Sequence, residues 1–368
     1  MSGNFRTLFS ISIFTLVSSF SVAESLKILN WGDYVDPEVI TSFERAHNVT
    51  VEYAEFNNTD EFSDLFFAKE NQFDVIFPAS DIVPVLKENA LIKKLDKSQL
   101  SHLTNMNDTV MSGLSSRDKN SEYTVPYLWG TTGIGFNVKQ LAALGIKEED
   151  VSWSIIFNDA KRKKIAKCGI GVVNERDEIF SAALSYLGHS INTDNKDHLK
   201  EAGRLIKEAY ADFTYLHTNQ YTDDLKGNKI CVGIGYSGDI LAQTEENEDI
   251  RYVIPNEGAT LWVDVMAIPS NSPNPALAYK FINYLMSPEV SAKNSNYAAY
   301  PSPMLDAKPY VEPEILADPT IYPNSETLAA LEMIAPVERK VRRIKHRLWV
   351  QAICSKGKWC AVPMSTYF

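Results

Sequence analysis

The chain has little of what catalysis or metal chemistry usually needs. Only six histidines occur in its 368 residues, none paired at metal-ligand spacing on a helical pattern. There are four cysteines and no Cys-x-x-Cys pair. No Gly-x-Ser-x-Gly elbow, His-Glu-x-x-His, Walker loop or dinucleotide fingerprint is present. The glycine-rich run Gly130-Thr131-Thr132-Gly133-Ile134-Gly135 sits in an apolar, β-rich stretch and carries no lysine, so it lacks the context of a phosphate cradle. These gaps argue against the common hydrolase, kinase and dehydrogenase chemistries, and they imply no cofactor. Positive charge is also short. Lys and Arg number 36 against 47 Asp and Glu, leaving a net charge of -11 where nucleic-acid binding needs a basic face. Long apolar runs are scarce too. The one at Leu8–Phe20 follows Arg6 and ends in Ser21-Val22-Ala23, small residues that a signal peptidase reads. It is too short to span a membrane well, so residues 1–23 are predicted to be a cleaved export signal. Loss of Arg6, the only charge in that segment, takes the net charge from -11 to -12.

What remains is a soluble globular composition, 45% hydrophobic and 23% charged, long enough for two domains. "VTVEYAEF" (49–56) alternates with period two, and "FDVIFPAS" (73–80) reads as a short strand. "YTVPYLWGTTGIGFN" (123–137), "KICVGIGYSGD" (229–239) and "TLWVDVMAIP" (260–269) read as further strands, with helical spacing at 140–145, 179–188 and 199–210 between them. The alternation predicts an α/β fold with mostly parallel sheets flanked by helices. Export permits disulfides, and four cysteines allow three pairings; the simplest joins Cys168 to Cys231 and Cys354 to Cys360. "KRKK" at 161–164 reads as a solvated helix face. "ERKVRRIKHRLW" (338–349) reads as a basic amphipathic helix whose Val341, Ile344 and Leu348 stripe docks on the body.

Aromatic residues paired with acids are the most specific signal. "NWGDYVDPEVITSFERAHNV" places Trp31, Asp33 and Tyr34 between a strand and a helix that starts near Pro37, at the end of the sheet where open α/β folds bind ligands. Trp262 and Asp264 share one face of a strand, with Val263 and Val265 on the other. Tyr236 and Tyr300 lie near glycine or proline breaks, with Asp239 close by. A generic core explains the rings but not the acids beside them. A charge inside an apolar strand must be paired or face a cleft, and rings with carboxylates suit a cation.

Four stretches carry a resemblance over almost the whole mature chain: "LNWGDYVDPEVITSFE", "VPYLWGTTGIGFN", "YLHTNQYTDDLKGNKICVGIGYSGD" and "EGATLWVDVMAIP". The sequence resembles the periplasmic polyamine-binding proteins of bacterial ABC importers, of the putrescine and spermidine type. The resemblance implies a non-enzymatic, monomeric, two-lobed flytrap (a type II periplasmic binding protein) closing on ligand in a cleft. Lobe 1 is expected at 24–132 with 264–308, lobe 2 at 133–263 with 309–350, and a C-terminal tail at 351–368. It implies ligand contacts from Trp31, Asp33, Tyr34, Asp81, Glu175, Glu178, Tyr236, Asp239, Trp262, Asp264 and Tyr300, with Asp264 as central anchor. The putrescine branch has cysteines at the positions of Cys168 and Cys231, which supports their pairing. Where the family usually has hydroxyl residues, this chain has Gly32, Ala79 and Asp81. Glu175 adds an acid of the spermidine branch to Asp239, an acid of the putrescine branch. That surplus of carboxylates favours a triamine such as spermidine or norspermidine over putrescine. The expected partner is an inner-membrane ABC permease. The alternative is a sensor that reports polyamine to an inner-membrane receptor controlling cyclic-di-GMP and biofilm formation. Ferric iron or thiamine as ligand fits poorly, since no Tyr-Tyr pair is present.

Overall fold

The computed structural model describes residues 24–68 and 72–354. The export signal and Cys360, hence the Cys354–Cys360 pairing, lie outside the described residues. Among the described residues ten strands form two sheets: β1 (Glu24–Trp31), β2 (Val49–Phe56), β3 (Val75–Ile76), β4 (Val125–Asn137), β5 (Ile170–Val173), β6 (Tyr215–His217), β7 (Val232–Tyr236), β8 (Ile250–Val253), β9 (Ala259–Met266) and β10 (Leu331–Glu332). The first sheet runs β2-β1-β3, all parallel. The second runs β10-β9-β4-β7-β5-β6, with β8 also on β4. Its antiparallel pairings all involve β4, which meets β7, β8 and β9. The expected α/β fold with mostly parallel sheets is therefore what forms.

Local chemistry explains the element ends. The helix Pro37–His47 opens with Pro37 in its first turn, the Asp36 carboxylate accepting from the Glu38 N–H at 2.7 Å, and it stops at Asn48 in the left-handed region. Val39 and Phe43, four residues apart, turn inward. The helices Arg176–Tyr186 and Lys196–Tyr210 each begin three residues before the expected start. Their first turns are polar, so apolar spacing alone does not reveal them.

Strand β4 ties the molecule together. It is buried over its whole length. Val125, Tyr127 and Leu128 join a core with Leu26, Phe43, Met266 and Phe281, whereas Ile134 and Phe136 join a core with Val172, Phe180, Val232 and Trp349. A register shift between Pro126 and Trp129 falls within the first of these halves. Cys168 and Cys231 form a disulfide with Cα atoms 5.5 Å apart, clamping the turn before β5 to the residue before β7.

The basic helix Arg339–Ile353 does dock on the body, against Lys196–Tyr210, where Leu348 packs so closely on Gly203 that a Cβ there would lie 3.0 Å from it. Its buried stripe differs from the expected one. Val341, Lys345, Trp349 and Ala352 are inside, and Ile344 and Leu348 only half so. The lysine lies on the inward line, where the half-buried Asp177 carboxylate meets it.

Candidate functional site

Asp264 is the innermost acid. It lies in β9, 7% exposed, while its neighbours Val263 and Val265 pack in an apolar core. Its Oδ2 accepts the Tyr34 hydroxyl at 2.8 Å, and the Tyr34 carbonyl accepts the Tyr127 hydroxyl at 2.7 Å. An isolated bridge between Ala79 and Asp264 brings the turn Ser80–Ile82 alongside. Burial pushes the Asp264 carboxyl up to about 8; the Tyr34 hydroxyl opposes this and the charges of Asp81 and Asp239 add to it.

Asp239 follows β7 and is held by rings. The Tyr300 hydroxyl donates to its Oδ1 at 2.8 Å and accepts its backbone N–H at 3.1 Å, and the Tyr221 hydroxyl donates to Oδ2 at 3.3 Å. Burial raises its carboxyl above the usual range, with Asp33 contributing. Tyr300 is also the hub of an aromatic chain. Its ring stands edge-on to Tyr34 at 5.6 Å and to Trp262 at 5.0 Å, and Trp262 meets Tyr236 at 5.7 Å. Two glycines make room for this chain. A Cβ at Gly238 would fall 2.3 Å from the Tyr300 ring, and one at Gly130 would fall 2.4 Å from that of Trp262. The glycine breaks read in the sequence are seats for rings.

Glu178 enters from the first turn of the helix Arg176–Tyr186. Its Oε2 is buried without a hydrogen-bond partner. Burial pushes its carboxyl up to about 7; the nearby Thr260 and Thr132 hydroxyls lower it, and the charges of Asp177 and Asp81 raise it. Glu175, half-buried at the cap of the same helix, acts with Glu178 on Tyr236, whose phenol is raised chiefly by burial. Asp81 is exposed to solvent yet walled by protein, which raises it, while Arg117 lowers it.

Eight of the expected residues thus share one network: Tyr34, Asp81, Glu175, Glu178, Tyr236, Asp239, Asp264 and Tyr300, with Trp262 joined through its ring contacts. Asp33 is peripheral. It is exposed, at φ 52°, and its charge reaches Asp239, Tyr53 and Tyr297. Trp31 is half-buried with its ring 4.4 Å from Phe56, and its indole N–H, like that of Trp262, is buried without an acceptor. Tyr127, Tyr221, Thr132, Thr260 and Arg117 escaped the sequence reading. Tyr127 and Tyr221 lie in two of the quoted stretches; no acid stands near Tyr127, whereas Asp223 and Asp224 follow Tyr221 at the spacing of the other acid–ring pairs and could have marked it. The arrangement can do one thing well: hold a cation whose ammonium groups meet carboxylates and whose methylenes meet ring faces.

The family model described as bacterial extracellular solute-binding protein matches residues 38–323. The chain belongs to this family. It is a family of solute binders rather than catalysts, and the chain falls with its periplasmic polyamine-binding members. It is 32% identical over 356 residues to the putrescine-binding periplasmic protein SpuD of Pseudomonas aeruginosa, covering 94% of this chain and 97% of that one. It is 30% identical to the putrescine-binding periplasmic protein PotF of Escherichia coli, covering 95% and 96%. The spermidine/putrescine-binding periplasmic protein of Escherichia coli is 27% identical, covering 83% and 84%. Among solved structures, the spermidine/putrescine substrate-binding protein PotD of Streptococcus pneumoniae matches with a TM-score of 0.79 at 27% identity, covering 89% of this chain and 98% of that one. The fold is the two-lobed α/β binding-protein fold.

Proposed function

We propose that this protein captures a polyamine in the periplasm and presents it to an inner-membrane ABC importer. The observation that carries the reading is Asp264, a carboxylate almost fully buried in a strand and oriented by Tyr34. Burial of a lone carboxylate is unfavourable, and an ammonium beside it removes that penalty. The names of the relatives support a polyamine as the source of that ammonium. The ligand contacts proposed are Trp31, Asp33, Tyr34, Asp81, Glu175, Glu178, Tyr236, Asp239, Trp262, Asp264 and Tyr300. Trp262, Tyr236 and Tyr300 offer ring faces; Asp239, Asp264 and Glu178 accept from amines. Five carboxylates (Asp33, Glu175, Glu178, Asp239 and Asp264) favour a triamine such as spermidine or norspermidine over putrescine. The lobes are assigned as 24–132 with 264–308 and 133–263 with 309–350, a division supported by the sharing of β4 between two cores.

Titration calorimetry of the mature, oxidised protein with putrescine, spermidine and norspermidine tests the reading. Binding that Asp264→Ala abolishes is expected, with the triamines tighter. Equal or tighter putrescine binding refutes the triamine preference, and no binding of any amine refutes the polyamine reading itself.

A further inference from the structure

The basic helix Arg339–Ile353 holds six Lys and Arg residues and no acid. Arg339, Lys340, Arg342, Arg343 and Arg347 face solvent, but Lys345 is turned inward and 1% exposed. Its ammonium lies 3.3 Å from Asp177 Oδ1 and 5.8 Å above the Phe180 ring. Asp177 Oδ2 meets the Arg176 guanidinium at 2.5 Å. Asp177 and Glu178 are consecutive residues in the first turn of one helix, so this buried cation sits just behind an acid of the cleft.

A buried ion pair is weak evidence for a stabilising role, because apolar residues of the same volume often serve as well. Position is the more telling fact. Without Lys345, the first turn would present Glu175, Asp177 and Glu178 to one region, with Arg176 alone to balance them. Groups that bear on Asp177 or Glu178 come from several elements: Asp81 from the turn after β3, Thr132 from β4, Tyr236 from β7, Tyr252 from β8 and Thr260 from β9. Arg117 faces Asp81 from the other side. Among the described residues, the cations that bear on Asp177 are Lys345 and Arg176.

We propose that Lys345 determines specificity from outside the ligand contacts: it is a resident ammonium that neutralises Asp177 behind Glu178 and so sets how many positive charges the cleft asks of its amine. The inference rests on the polyamine reading of the cleft. Lys345 acts through Asp177, and Arg176 keeps Asp177 ionised when Lys345 is removed. Loss of Lys345 therefore makes the cleft more negative and favours the more highly charged amine. Loss of the Asp177 charge does the opposite.

The test is calorimetric titration of wild type, Lys345→Met, Asp177→Asn and the double variant with putrescine and spermidine, each variant also melted thermally. Lys345→Met should raise the spermidine-to-putrescine affinity ratio about ten-fold, the size expected of one unit charge acting over about 10 Å at an effective dielectric constant of about 20. Asp177→Asn should lower the ratio by a similar factor, and the double variant should return close to wild type. A purely structural ion pair would lower both affinities and the melting temperature together and leave the ratio alone; ratios within about two-fold of wild type in the single variants overturn the proposal. If Lys345→Met does not fold, the opposite-signed shift in Asp177→Asn still decides. Wild type binding neither amine removes the cleft reading and this inference with it, whereas binding at a constant ratio removes the inference alone.

Discussion

Burial pushes the Asp264 carboxyl up to about 8 and that of Glu178 up to about 7, and an ammonium placed beside either would reverse the shift. Amine capture near neutral pH should therefore expel protons. At pH 6.5 both groups hold most of their protons, while aliphatic amines, with pKa values near 10, stay charged. An amine that binds only the ionised carboxylates releases up to two protons at that pH, about one from each. Affinity then rises with pH by up to ten-fold per unit for each group, or ~1.4 kcal/mol, until each passes its own pKa. Calorimetry in buffers of different ionisation enthalpy counts the released protons directly. Asp264→Asn should reduce the count by about one and flatten the affinity profile between pH 6 and 8. The unbound protein should show the converse. Unfolded Asp264 ionises near 4, so between about pH 4 and pH 8 the unfolded chain binds fewer protons than the folded one. Stability then falls as pH rises through that window, by up to roughly 5 kcal/mol for this group alone. Zero proton release at pH 6.5, with affinity independent of pH, would refute the reasoning.

Other perturbations have equally direct readouts. Tyr300→Phe removes the hydroxyl that donates to Asp239 Oδ1 and accepts its N–H, and should weaken spermidine binding about ten-fold, or ~1.5 kcal/mol, by calorimetry. Gly238→Ala puts a methyl group where the Tyr300 ring lies, so amine binding should be lost while far-ultraviolet circular dichroism stays native. Reduction of Cys168–Cys231, or Cys168→Ser with Cys231→Ser, opens a cross-link between residues 63 positions apart and should lower stability by about 4 kcal/mol in denaturant titration, with most of the amine affinity retained.

The parts legible in the sequence are those written in short-range period. Trp262 and Asp264 alternate with Val263 and Val265 as the strand dictates, and the helix beginning at Pro37 announces its own start. The acid–ring pairing singled out Asp239, Asp264 and Tyr300 without any knowledge of which would touch. The pairings themselves are long-range. Tyr34 finds Asp264 from 230 positions away, and no local pattern encodes that. Nor does the pattern of 338–349, with its Val341, Ile344 and Leu348 stripe, announce an inward Lys345; the carboxylate that meets it, Asp177, comes from a different helix. Nothing in the local pattern around Asp33 shows that the left-handed turn after Gly32 sets it at the rim of the network rather than inside it.

Strand β4 passes from one core to the other across Trp129–Ile134, and that crossing carries more than connectivity. Gly130 seats the Trp262 ring there, and Thr132 stands beside Glu178. A bend at this point moves an aromatic wall and the environment of an acid in the same stroke. On the proposed division into lobes the joint and the grip are the same stretch of chain, so opening the molecule would loosen its hold on an amine in one mechanical event.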